Sequence, residues 1–436
     1  MFLLTCGSRS RHRFPCSLYY LCTALLLSAY VSTVAAQESL TLTEATRRTL
    51  VHYPELHVFK WRLQALEAMR DTAKLTPAYE LELETENIGG SGDFSGTDSM
   101  EMTLSLSSVI ELGGQRDARV AVADSRYALV QAERQAKALD AIGLVTQRFI
   151  ATFTLQEKLA VSTRALQLSE QTYQLTSERV QRGAAPEAEH LRALAAVKQA
   201  SMRQAALAAE LESRKFALAS LWKAEQVDFG SVSGDLFQLE EPAAFDVLYQ
   251  RVVASPAIAV YASEERLRDT EVALARSQSN SNVEWNLGVR RFEDTDDSAF
   301  TAGLSVPLFS ARRHRGEVQS ALAEREMVRY RRESALLAIR SRLFDAWQTY
   351  QQSAAAAREI RTEVIPLLQQ ALEQTRQAYE RGRYRYADWV SAQGELLDAQ
   401  LAAIDAASTA LFNQALIEQL TAEPLAFDAT TKPLQR

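Results

Sequence analysis

The chain has 436 residues, 47% hydrophobic and 24% charged, with 48 Lys and Arg against 55 Asp and Glu for a net charge of −7. Loss of a leader carrying Arg9, Arg11 and Arg13 would take that charge to −10, which argues against nucleic acid or a polybasic membrane surface as partners. The length suits two or three ordinary domains, and no later stretch approaches the roughly 20 apolar residues a helix needs to cross a bilayer.

The N-terminus reads as a secretory signal peptide. A basic start is followed by an apolar run from Leu18 to Ala29 and by Val34-Ala35-Ala36, small residues that place cleavage before Gln37. Cys6, Cys16 and Cys22 all fall inside this leader, so the mature chain is expected to have no thiol and no disulfide. Cys22 follows Tyr20-Leu21 rather than small residues, which points away from a lipid anchor.

A helix is expected from Thr43 to Leu75. Two strands joined by a polar turn come next. In the first, Tyr79, Leu81 and Leu83 alternate with Glu80, Glu82, Glu84 and Glu86; in the second, Met100, Met102, Leu104 and Leu106 alternate with Glu101, Thr103, Ser105 and Ser107. A very long helix, Gln115 to Arg182, ends in a glycine-containing turn, and a shorter helix returns from Glu187 to about Lys223. The same plan then recurs. A helix from Phe245 to Ser277 leads to a strand with Val283, Trp285, Leu287 and Val289 on one side, and a fourth strand carries Phe300, Leu304, Val306 and Leu308. A long helix from Arg313 to Arg381 and a return helix from Tyr386 to Thr421 complete the second half.

The recurrence is an internal repeat. Residues 104–110 correspond to 302–308, Arg182-Gly183 with Glu189 to Arg381-Gly382 with Asp388, and Tyr53-Pro54 to Ser255-Pro256, at offsets of 198 to 202. The implied organisation is a signal peptide over 1–36, a first repeat over 37–225, an equatorial linker over 226–242, a second repeat over 243–422 and a tail over 423–436.

A helix of 68 residues would be ~100 Å long, and two short helices end to end would match it. The fold class is therefore mainly α with β: a wall of long antiparallel helices, barrel-like or coiled-coil, plus four strands. Strands of about ten residues with one apolar and one polar face suit a transmembrane barrel, although a half-buried soluble sheet fits the alternation equally. The secretory leader and the helix length favour the membrane. Four strands cannot close a barrel, and lipid forbids an open edge, so the strands must be pooled with those of other copies.

These residues resemble the TolC-type outer-membrane efflux channels over the whole mature chain. Leu304-Ser305-Val306-Pro307-Leu308-Phe309 is similar to the family's strand-to-helix junction, and Ala378-Tyr379-Glu380-Arg381-Gly382 with Asp388, Val390 and Ala392 to its periplasmic tip. The first-half junction is Ile110-Glu111-Leu112-Gly113-Gly114-Gln115-Arg116. It resembles the run of the cobalt-zinc-cadmium (CzcC-like) branch, with Gln115 where that branch has Lys. The resemblance implies a homotrimer with a twelve-stranded barrel in the outer membrane and a helical tunnel across the periplasm. It implies as partners a periplasmic adaptor (membrane-fusion) protein docked at the tips, an inner-membrane RND-type pump and outer-membrane lipid. The channel itself would be passive, conducting divalent heavy-metal cations outward.

Three groups of residues are candidates for function. Glu80, Glu82, Glu84, Glu86, Glu101 and Glu284 should line the lumen if the apolar face meets lipid, with Arg290 offsetting part of their charge. Such a lining would concentrate cations, or the acids could do no more than hydrate the passage. At the tip, Asp388 stands where the family has a gate aspartate, while the position of its second one is Ser391. Tyr379, Arg381, Arg383 and Arg385 around Gly382 would latch the closed tip, with Gly183 and Glu189 as first-half counterparts; a solvated helical turn is the plainer reading. Pro366, inside the second long helix, should kink it.

Metal-binding patterns are weak. His52 and His57 are five apart, and His190 and His314 are isolated. No phosphate loop, nucleophile elbow or zinc motif supports an enzyme or a cofactor. The rival readings are the same scaffold exporting drugs or proteins, and a periplasmic coiled-coil interaction protein.

Overall fold

The computed structural model describes residues 39–423; the expected signal peptide and residues 424–436 of the tail lie outside the described residues. Helix α1, Leu42–His52, starts at Thr41, whose hydroxyl accepts the Glu44 amide, and stops at Tyr53. Helix α2 then runs from Pro54 to Ala73. The single helix expected over Thr43 to Leu75 is thus two. Pro54 has no N–H to continue the ladder, and its ring pushes Tyr53 out of helical geometry, to φ −65° and ψ 119°. The second half breaks in the same way at Ser255-Pro256, giving α5, Phe245–Val253, and α6, Pro256–Gln278.

The four strands are β1, Glu80–Glu86, β2, Glu101–Ile110, β3, Val283–Phe292, and β4, Ser298–Ser305. They form one antiparallel sheet in the order β1-β2-β3-β4, so β1 and β4 are open edges. Between β2 and the first return helix runs α3, Gln115–Gln181, a single rod of 67 residues. Helix α4, Glu187–Ala219, comes back along it.

The second rod is not a single helix. It is built from α7, Ser310–Arg313, then α8, Arg315–Glu359, a π turn over Ile360–Val364, and α9, Ile365–Glu380. In the π turn Ile365 donates back five residues to Ile360, which widens the helix directly ahead of Pro366. The ring of Pro366 would otherwise collide with the carbonyl of Thr362, so the proline expected to kink the rod is accommodated by an inserted residue. Helix α10, Tyr386–Thr421, returns along this rod.

Above the middle of the molecule α2 packs on α3, α3 on α6 and α6 on α8. That order repeats the strand order, because each rod continues its own strand. Below the middle, α4 packs on α3, α3 on α10, and α10 on α8 and α9. The rods lie side by side, with α2 and α4 on one flank and α8 and α9 on the other.

A belt closes the middle. Leu40 pairs with Val232 as a short parallel bridge, and Gln156 of α3 both donates to and accepts from the Val232 backbone. The main core lies here: Val145, Phe149 and Ile150 of α3 pack with Leu218, Trp222, Phe229, Leu236 and Leu411. A second cluster gathers Val252, Leu343, Tyr350 and Ile417. Burial pushes the Tyr350 phenol up to about 12, so it remains a neutral donor to the Glu240 carbonyl.

Candidate functional site

The sheet register decides which strand side chains share a face. Glu80, Glu82, Glu84 and Glu86 stand opposite Ser107, Ser105, Thr103 and Glu101. Thr103 in turn faces Arg290, and Val109 faces Glu284. Side chains alternate along a strand, and directly paired residues lie on one face. All six glutamates therefore belong to a single face, with Ser105, Ser107, Asn286, Thr301 and Ser305. The opposite face carries Leu81, Leu83, Leu104, Leu106, Leu287, Val289, Phe300 and Leu304, all exposed, Phe300 to 92%. A broad apolar surface of this kind is not stable against water and marks a lipid or protein contact.

Charge on the polar face is uneven. Arg290 reaches Glu101 at 2.9 Å and Glu86 at 3.1 Å and donates to the Thr103 hydroxyl at 3.0 Å. Glu101 also accepts from Asn87 at 3.0 Å. Glu80, Glu82, Glu84 and Glu284 have no ion-pair partner among the described residues. Unpaired negative charge thus sits on β1 and at Glu284 of β3, toward the helical end of the sheet, while at the loop end one arginine is shared by Glu86 and Glu101.

The junction run Ile110–Gly114 works as a clamp. Gly113 and Gly114 take φ of +75° and +72°, a region that suits glycine, and let β2 turn into α3. A Cβ on Gly113 would meet Asn280 Nδ2 at 2.1 Å. The Leu112 amide donates to Asn282, whose side-chain amide donates to Gln115, and buried Gln115 donates to the Ser277 carbonyl at 3.2 Å. Glu111 binds Arg119, which also reaches the Leu75 carbonyl. Three separate chain segments are tied at the foot of the strands.

The two tips share one geometry. Gly183 (φ +73°) donates to Val180 and Ala184 to Arg179; Gly382 (φ +72°) donates to Tyr379 and Arg383 to Ala378. Each is a Schellman turn with glycine in the left-handed position. Tyr379 is buried against Trp389, with ring centroids 5.0 Å apart, and its hydroxyl donates to Glu189 at 3.2 Å. Burial raises the Tyr379 phenol pKa, which keeps it a donor.

The sequence missed Arg179, which lies 4.4 Å over the Tyr379 ring and donates to the Tyr379 carbonyl, joining the two halves. It also missed the buried bond from Gln393 to Thr172 at 2.8 Å. Helical spacing of Tyr386, Trp389, Val390 and Gln393 was the available signal.

Asp388 accepts the Arg385 amide at 3.0 Å as the capping residue of α10, with the Arg385 side chain 3.7 Å away. Arg381 and Arg383 are exposed and make no ion pair among the described residues; within the chain the two halves of the tip are joined through Arg179, Glu189 and Tyr379. Ser391 donates to Glu395.

The histidines do not converge. His57 contacts the Val51 carbonyl, His190 packs on Tyr173, and His314 lies 2.6 Å from Glu317. Among the described residues no three His, Cys, Asp or Glu side chains form a group suited to a metal.

A sheet with one apolar face, joined to rods in the same order and built twice, has a counterpart among known proteins. The family model for the outer membrane efflux protein matches residues 45–223 and 247–423. The chain belongs to the outer membrane efflux protein family. It is an outer membrane efflux protein.

The chain is 25% identical over 299 residues to the cobalt-zinc-cadmium resistance protein CzcC of Cupriavidus metallidurans, covering 69% of this chain and 72% of that protein. It is 26% identical over 296 residues to the nickel-cobalt-cadmium resistance protein NccC of Alcaligenes xylosoxydans xylosoxydans, covering 67% and 66%. Its fold is similar to that of CusC, with a TM-score of 0.75 at 15% identity over 89% of this chain and 94% of that one. VceC of Vibrio cholerae gives 0.69 at 18% identity over 88% and 96%.

Proposed function

We propose that three copies of this chain close into a twelve-stranded barrel and a continuous helical tube. The tube would conduct divalent heavy-metal cations from an inner-membrane RND-type pump and a periplasmic adaptor to the outside. The observation that carries this reading is the sheet itself: β1 and β4 are both open, and in an antiparallel order the β4 edge of one copy has the right polarity for the β1 edge of the next. Closure that way puts the apolar face toward lipid and all six glutamates toward water. The adaptor would dock at the two glycine tips. The metal assignment draws on the likeness to CzcC and NccC, whose names state metal resistance, and on the excess negative charge of β1.

The test is a deletion strain compared with its parent for sensitivity to zinc, cobalt, cadmium, nickel, copper and a panel of antibiotics. Sensitivity confined to metals is the expected result, and sensitivity to antibiotics alone overturns the cation assignment. In planar bilayers, Glu82→Gln with Glu84→Gln should lower the cation-to-anion permeability ratio. An unchanged ratio would show that these acids only hydrate the passage.

A further inference from the structure

The two strand-to-helix junctions differ in how their charge is settled. At the first, Glu111 binds Arg119, and Asp117 lies 3.9 Å from Arg116. At the second, Arg312, Arg313 and Arg315 fall within four residues, all exposed, with no ion-pair partner among the described residues. The acid on that first turn of α8, Glu317, is taken by His314.

Immediately before the arginines the chain presents Leu304, Val306, Leu308 and Phe309, all exposed. Phe309 is 78% exposed and has a φ of +63°, a strained position for a bulky side chain that glycines occupy at the sister junction. An apolar run continuous with the lipid-side face of β4, followed at once by unpaired cations, is the order met on leaving hydrocarbon for headgroups.

The geometry points to the Leu308–Arg315 segment as a binding surface for anionic phospholipid at the periplasmic leaflet of the outer membrane. Phe309 and Leu308 lie among acyl chains, and the three guanidinium groups hold headgroup phosphate. Guanidinium suits that partner because its fork of donors matches phosphate oxygens. This inference rests on the reading that the apolar strand face meets lipid.

The test uses the mature protein in nanodiscs of phosphatidylcholine containing a minor fraction of phosphatidylglycerol, with retained lipid counted by native mass spectrometry. Wild type should retain phosphatidylglycerol over phosphatidylcholine. Joint substitution Arg312→Gln, Arg313→Gln and Arg315→Gln should cut that preference about a hundredfold, while the corresponding three lysine substitutions keep most of it. Equal preference in wild type and the glutamine variant overturns the inference. So does a glutamine variant that falls apart into single chains in pure phosphatidylcholine, which would assign the arginines to a second copy. Wild type that fails to insert even into phosphatidylcholine would instead bring down the strand reading, and this inference with it.

Discussion

The two long rods come from one repeat and have become different objects. The first, Gln115–Gln181, is unbroken and lies in the middle of the wall, with Val145, Phe149 and Ile150 almost wholly buried at the belt. The second is assembled from three helices and a π turn, lies at the flank, and leaves Tyr330 and Leu337 about 65% exposed. Position in the wall, not ancestry, sets what a rod must do. A central rod has neighbours on both sides and is held straight by them. A flanking rod leaves apolar residues exposed and tolerates a widened turn.

That contrast can be broken most directly at its two extremes. Phe149→Ala should cost about 3–5 kcal/mol, since it empties a packed site. Leu337→Ala should stay within about 0.5 kcal/mol in the separated chain while weakening association of copies. Denaturant unfolding of the detergent-solubilised chain, with native electrophoresis alongside, reads both. Equal losses would mean that centre and flank do not differ.

The junction glycines sharpen the same point on a smaller scale. Gly114 has φ +72° and open space around it, so Gly114→Ala should cost about 1 kcal/mol from backbone strain alone. Gly113→Ala adds a collision with Asn280 and should cost roughly 2–4 kcal/mol. Thermal midpoints of the two variants test the order. At the π turn, Pro366→Ala restores a donor opposite Thr362 and is expected to slow amide exchange across residues 360–366 about fivefold, one hydrogen bond's worth.

The smallest effect belongs to Glu373 on α9. Its carboxyl is held down from 4.5 to about 2 by hydrogen bonds from Arg376 and Gln377. A carboxylate depressed in the folded state supports folding fully above its unfolded pKa and loses that support as pH falls through the folded one. Glu373→Gln should therefore show lower amide protection than wild type in α9 at neutral pH. The gap should close as pH drops from 4.5 to 2, and a gap that persists at pH 2 would remove the ion pair as its cause.

Much of this was legible because it is local or periodic. Alternation at Tyr79–Glu86 gave both the strand and the shared face of its four glutamates, and Gly183 and Gly382 marked two turns that share one hydrogen-bond pattern. Tyr53-Pro54 and Ser255-Pro256 mark the repeat and also stop a helix, because the missing proline N–H overrides the helical periodicity around it. Contacts between the halves were legible only in part. Alternation in the third strand puts Arg290 on the glutamate face, where it meets Glu101, but Arg179 meets Tyr379 across 200 residues of chain and nothing local selects it from its neighbours. Asp388 was legible by its place after Gly382, and its bond to the Arg385 amide at the start of α10 is a local detail that this spacing alone does not specify.

The agreement between strand order and rod order makes each chain a set of four staves in a cask. In a ring, every copy adds the same four staves to the mouth and to the tube beneath it. Bore is then fixed by stave count at both levels together, and neither end can be widened without the other. In the proposed ring, loops and tips are free to vary, while the largest cargo would follow from how many copies meet.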